Sequence, residues 1–180
     1  MVDAAYGVRP AVFGRSRDGS ASGEVDLSER RHDLRHGVPV PFASDEHSGY
    51  AVDHTATPSG PADLGAVVNA RAIQCALSRV CGLCGLSLSS PTGVTTFVGS
   101  PEEAEANSFR FPPMHGACAE LALTTYPSLG VPVLGQQLVL HEWAVVETGG
   151  FELERPARRR PDMHVVFHPN SVRDTRTVEV

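Results

Sequence analysis

No lysine occurs among the 180 residues; all fifteen basic side chains are arginines. That absence removes Schiff-base chemistry, a lysine nucleophile and the Walker-type phosphate loop, which needs its lysine. No apolar run approaches the ~20 residues with which a helix crosses a bilayer, so no membrane partner is expected. The opening residues, MVDAAYGVRPAVFGRSRDG, lack the apolar stretch of a secretory signal. The expected location is the cytoplasm, where thiols stay reduced and cysteines serve metals more often than disulfides. Twenty-one acidic residues leave a formal charge of -6, which argues against broad capture of nucleic acid through its phosphates. There is no GxSxG elbow, no HExxH and no glycine-rich phosphate loop.

The length suits one domain with a modest core, with or without a loose arm. Residues 1–59, rich in Gly, Ser, Asp and Arg, form the expected irregular arm, whose short apolar pieces can pack on a body spanning 60–180. Within the arm, DLSERRHDLRHG suits a short helix capped by Ser28 and stopped by Gly37, and Pro39 and Pro41 make RHGVPVPF extended. In the body, Pro61 and Asp63 suit a helix start, and Leu64, Val68, Ala72, Ala76 and Val80 recur every four residues, predicting a helix to about Val80. LSL and VTTFV then read as short strands about the turn SSPTG. PEEAEANS reads as a loop or one helical turn, Phe109–Phe111 as a brief strand, and His115–Thr125 as a helix. Gln137–Glu147 is predicted as a strand ending at Thr148-Gly149-Gly150, and Met163–His168 as a strand closed by Pro169-Asn170. The expected fold class is α+β, with two main helices and a small, mostly antiparallel sheet.

The strongest chemical feature is CGLCG at Cys81–Gly85, followed thirty residues later by HGAC at His115–Cys118. A CxxC turn wraps two thiolates round one ion, and the following glycine lets backbone amides approach the sulfurs. A His and a Cys at i and i+3 on a helix's first turn project to one side. Cys81, Cys84, His115 and Cys118 are thus expected to hold one transition-metal ion, iron or zinc, in a treble-clef-like centre of knuckle, hairpin and helix. A redox dithiol is the competing reading of CxxC, but the aromatic and proline neighbours of thioredoxin-type motifs are missing. Cys75 is left over and reads as a small buried apolar residue.

The stretches VCGLCGLSL, TTFVG and PPMHGACAELALTTYPSL resemble a set of small actinobacterial and actinophage proteins. Their pattern is approximately CxxCGxxLG, then FVxG, then PPxHxxCAxYAxxxCPxL. RHGVPVPF is similar to a segment near their start. The resemblance covers mostly Val80–Leu129 and implies a metal-bound fold, since the function of that family is largely unknown. Tyr126 stands where the pattern has a second helix-end cysteine, and Ser87-Leu88-Ser89 replaces its Leu-Gly.

Two roles for the ion stay open. Four protein ligands suit a closed structural zinc site, whereas thiolate-ligated non-haem iron can add a position for O₂-dependent oxidation. An HNH-type nuclease needs a histidine on the hairpin, and none lies between Cys84 and His115. The leading functional expectation is a metal-dependent enzyme, an oxidoreductase of specialised metabolism acting on a small molecule. His141, His164 and His168 are its candidate acid–base groups, and Trp143, Arg158, Arg159 and Arg160 its candidate substrate contacts. Each has an ordinary alternative: the histidines as polar faces of strands, Trp143 as plain alternation, the arginines as a solvated loop. His32 and His36, four apart between arginines, read as solvated or capping groups. The competing functions are a protein-interaction module braced by structural zinc and a nucleic-acid-binding zinc module; an oligomer is left open.

Overall fold

In the computed structural model the described residues are 34–35, 38–44, 64–89, 92–156 and 163–180. In chain order they form β1 (Leu34–Arg35), β2 (Val38–Pro39), a 3₁₀ turn at Phe42–Ser44, α1 (Asn69–Ser78), β3 (Thr95–Gly99), α2 (Pro101–Glu105), α3 (Gly116–Thr125), a second 3₁₀ turn at Pro127–Leu129, β4 (Glu142–Glu154) and β5 (Val166–Glu179). β1 pairs only with β2, while β3, β4 and β5 make a three-stranded antiparallel sheet with β4 in the middle. The fold is therefore α+β, with a few helices and a small antiparallel sheet. Among the described residues no helix is long and apolar enough to cross a membrane.

The extended segment predicted around Pro39 is there, but Leu34 and Arg35 are strand residues rather than helix. The rest of that predicted arm helix lies outside the described residues. Residues 42–43 hydrogen-bond to the CxxC turn, Phe42 N–H to Leu83 O at 3.0 Å and Ala43 N–H to Gly82 O at 2.9 Å.

Helix α1 starts at Asn69, later than the four-residue periodicity implies. Leu64 and Val68 keep the helical spacing, yet their backbones are engaged elsewhere: Leu134 N–H donates to Leu64 O and Val68 N–H to Ala43 O, both at 2.9 Å. The side chain of Asn69 clamps the start of the helix to the chain entering β5, taking Val165 N–H and giving to Met163 O, each at 3.1 Å. α1 buries Arg71, Ala72 and Cys75 and leaves Leu77 exposed. It ends at Arg79, whose left-handed backbone turns the chain into the CxxC turn.

The acidic stretch is one helical turn, α2, closed by a reciprocal capping box. Ser100 accepts Glu103 N–H at 3.2 Å, and the Glu103 carboxylate accepts Ser100 N–H at 3.0 Å.

The last two strands run further than their turn-like dipeptides suggest. Thr148-Gly149-Gly150 is a bulge within β4 rather than its end, with the register shifting between Glu147 and Thr148. The buried Thr148 hydroxyl holds that bulge, accepting Gly150 N–H at 3.2 Å and donating to the Asn170 carbonyl. Pro169-Asn170 likewise lies inside β5. Phe167 exchanges backbone bonds with Phe109 on the side away from β4, so Pro169, two residues on, needs no amide toward β4.

Two cores flank the sheet. One joins Leu83, Val98, Phe111, Met114, Tyr126, Trp143 and Val145 to Cys81 and Cys118; the other gathers Phe97, Phe109, Val165 and Phe167 with Ala72 and Val146. β3 is buried along its whole length. Its alternating side chains send Phe97 into one core and Val98 into the other.

Candidate metal centre

The CxxC turn is shaped by backbone hydrogen bonds. Cys81 N–H donates to Leu86 O at 2.8 Å and Gly85 N–H to Cys81 O at 2.9 Å, while Val80 and Ser87 close the loop as an antiparallel bridge. The Leu86 amide also bonds the Cys84 sulfur. Gly85 sits at φ +69°, and a Cβ there would lie 2.8 Å from the Phe42 ring. Both facts require glycine. Gly85→Ala is therefore expected to lower stability by about 1–3 kcal/mol, read as a lower thermal midpoint of the metal-loaded protein.

LSL does not pair with VTTFV in the expected hairpin. Ser87 bridges back to Val80, and β3 instead pairs with β4 on one side and with Met114 on the other. Thr96 and Met114 exchange both backbone bonds, at 2.9 and 2.8 Å. Gly82 N–H reaches Pro113 O at 2.9 Å, fastening the turn to the residues just before His115. His115 is the extended N-cap of α3 (φ -68°, ψ 151°) and Cys118 lies in its first turn. This is the projection that their spacing predicted.

One ligand atom from each of Cys81, Cys84, His115 and Cys118 lies within 4.8 Å of all the others. Cys84 Sγ and Cys118 Sγ stand 3.5 and 3.7 Å from His115 Nδ1. A tetrahedral ion with sulfur at ~2.3 Å and nitrogen at ~2.0–2.1 Å sets those two atoms about 3.6 Å apart. The other ring nitrogen, Nε2, lies 2.8 Å from Ser87 O and donates to it, which turns the Nδ1 lone pair toward the sulfurs. A ligating histidine is commonly oriented by such a bond to a carbonyl.

The electrostatics agree with the geometry. Hydrogen bonds from Cys118 and Cys81 hold the Cys84 thiol far below its ordinary value, and the same crowding pushes Cys118 far above. His115 is raised to about 10, chiefly by hydrogen bonding to Cys81 and then Cys84, with burial opposing. Three sulfurs at this separation draw one positive charge, whether a proton on Nδ1 or a metal ion. Cys81 and Cys118 are fully buried, and Cys84 and His115 half-buried. All four cysteines are free thiols, so no disulfide competes for the sulfurs.

The remaining candidates lie elsewhere. Among the described residues the ligand-forming group is this quartet, and His141, His164 and His168 are not in it. His141 is exposed, with its carbonyl taking Val180 N–H at 3.0 Å. His164 stands on the rim of a separate cleft. His168 bonds Asn107 O at 2.8 Å and the Glu154 carboxylate at 3.0 Å, and these bonds, the first foremost, raise its pKa. Trp143 is 2% exposed, in the core that contains Cys81 and Cys118, and its indole nitrogen has no hydrogen-bond partner among the described residues. Arg158, Arg159 and Arg160 lie outside the described residues, as do His32 and His36. Cys75 is buried, its thiol pushed up to about 12 by that burial.

Sequence reasoning missed Ser87 as the partner that orients His115, and Tyr126 as a neighbour of the ligands. Tyr126 is buried in the same core, its hydroxyl pushed up first by burial and then by Cys118 and Cys81. A carbonyl leaves no signal in residue type, whereas Tyr126 had one in its place at the end of the helix that starts with His115 and Cys118. No family model, curated protein or solved structure matches the chain.

Proposed function

We propose that the chain is a metal-braced binding module in which Cys81, Cys84, His115 and Cys118 hold one structural zinc ion. The observation that carries this reading is the convergence of three sulfurs and an imidazole nitrogen within 4.8 Å, with Cys84 and Cys118 Sγ 3.5 and 3.7 Å from Nδ1 and Nε2 tied to Ser87. A shell completed by four protein ligands leaves no position for a substrate, and such sites contribute folding energy. The centre is treble-clef-like: a knuckle, two antiparallel segments bridged at Thr96 and Met114, then a helix whose first turn supplies the second ligand pair. Cys81 and Cys84 hold the turn, His115 and Cys118 hold α3, and their joining closes the core around Leu83, Phe111 and Trp143.

A thiolate-ligated iron enzyme acting on a small molecule is the second reading. What favours it is the half-exposure of Cys84 and His115, the side on which a further ligand has access. Elemental analysis with an optical spectrum separates the two. The expected result is about one zinc per chain, no visible absorption, and thiolate charge-transfer bands after cobalt substitution. Iron in the purified protein, with visible thiolate-to-iron absorption, supports the enzyme. Absence of any stoichiometric transition metal overturns both.

A further inference from the structure

A cleft of about 380 Å³ opens between residues 65–67, Arg110, the segment 132–137 and His164. None of the four ligands of the metal centre lines it. In a chain of net charge -6, the described residues that line it include an arginine and a histidine and no carboxylate. The neighbouring acid, Glu103, is already committed. Its Oε1 accepts Arg110 N–H at 3.0 Å, and its Oε2 accepts Ser100 N–H at 3.0 Å and Gln136 Nε2–H at 2.6 Å. Those bonds tie α2, Arg110 and the 132–137 segment into one fixed wall.

The Arg110 guanidinium differs from most others described. Arg71 lies over Phe42 and Arg79 over Phe151, Arg173 donates to Thr92 O, and Arg176 pairs with Glu147. Arg110 is half-buried and forms no ion pair among the described residues. A guanidinium fork presented to a cleft is complementary to a planar or tetrahedral oxyanion. The volume falls at the small end of the ~300–1,000 Å³ typical of ligand pockets. The carboxamides of Gln136 and Gln137 add hydrogen-bonding groups for a polar body.

We infer that this cleft binds a small molecule through an oxyanion group, a carboxylate or a phosphate, gripped by Arg110 with His164 as second donor. The test is amide chemical-shift titration of the full, metal-loaded chain with inorganic phosphate and, separately, with succinate. Saturable shifts at the amides of Gly65, Val67, Gly135 and Gln137 are expected with at least one probe, and which probe acts identifies the oxyanion. Arg110→Gln should weaken binding about tenfold or more, and His164→Gln several-fold. His164 is exposed, so its variant reads the cleft even if the arginine variant folds poorly. No shifts at these amides with either probe, or shifts of equal affinity in both variants, overturn the inference. Metal content measured on the same samples keeps its failure distinct from that of the metal centre.

Discussion

Replacing Cys118 by serine is expected to cost the chain both its metal ion and cooperative folding at physiological temperature. Cys118 is wholly buried among Leu83, Phe111, Met114, Tyr126 and Trp143, and it sits on α3, whereas Cys81 and Cys84 sit on the turn. Losing it removes one of four ligands, and the remaining sulfurs then repel each other across a gap that an ion no longer fills. Structural zinc contributes about 10–16 kcal/mol in small finger peptides, whereas a whole domain is stable by only about 5–15 kcal/mol. A loss of even half the smaller figure leaves little margin. Thermal unfolding followed through the single tryptophan, Trp143, reports on the same core, and metal content is read in parallel. A strong chelator acting on the unsubstituted protein should reproduce the effect. Cys75→Ala is the control, since Cys75 is equally buried and free but lies outside the ligand quartet. It should keep one ion per chain and lose only a small part of the stability. If Cys118→Ser melts where the parent does, still carrying its ion, the site is no brace.

The quartet was legible because metal ligation constrains both residue type and spacing. CxxC followed by glycine, and His and Cys three apart behind two prolines, each fit one geometry, and both lie where that geometry needs them. Helix α3 was legible from the prolines on either side of it, and the stretch read as a loop or one helical turn is the turn α2, which the Ser100 and Glu103 capping box closes. What failed was whatever tertiary pairing decides. The period of Leu64, Val68, Ala72, Ala76 and Val80 does not reveal that residue 68 donates its amide to Ala43. A Gly-Gly pair after a threonine is a turn in isolation, but opposite Asn170 it becomes a bulge within a longer strand. Pro169-Asn170 ends a strand unless the proline lies on an edge facing away from its partner. Ser87 pairs with Val80, seven residues back, because closing the knuckle takes precedence over a hairpin with VTTFV. Alternation would put Trp143 and His141 on one face, yet β4 starts at Glu142, so His141 precedes the strand and is exposed while Trp143 is core. The cleft was not legible because its lining comes from separate stretches of chain, brought together by the bonds of Arg110 and Gln136 to Glu103, of Leu134 to Leu64, and of Asn69 to residues 163 and 165.

Phe97→Ala is expected to lower unfolding free energy by about 3–5 kcal/mol, the range for deleting a buried aromatic ring, while leaving metal binding intact. Phe97 is fully buried, with ring centroids 5.2, 5.8 and 6.2 Å from those of Phe109, Phe151 and Phe167. These neighbours come from the brief segment before Pro112, from β4 and from β5, so one ring links three separate stretches. Phe109 and Phe167 are further fixed by their mutual backbone bonds, at 2.9 and 2.8 Å, and cannot readily collapse into the space left. The cost should therefore fall toward the upper part of the range, since poor relaxation enlarges the cavity term. Phe97→Leu should recover roughly half of the loss, because it restores most of the volume but not the edge-on ring contacts. The two cores allow a sharper distinction. The neighbouring Val98 packs in the core that holds Cys81 and Cys118, on the opposite face of the same strand. The substitution of Phe97 thus removes stability from the sheet's other side without touching the shell of the ion. Denaturant unfolding should show a lower midpoint at unchanged slope, with unchanged metal per chain in the folded baseline. Loss of the ion under native conditions would mean that the aromatic cluster, not the knuckle and α3 start, holds the ligands in place. The division of the molecule into a metal-braced half and a ring-packed half would then be wrong.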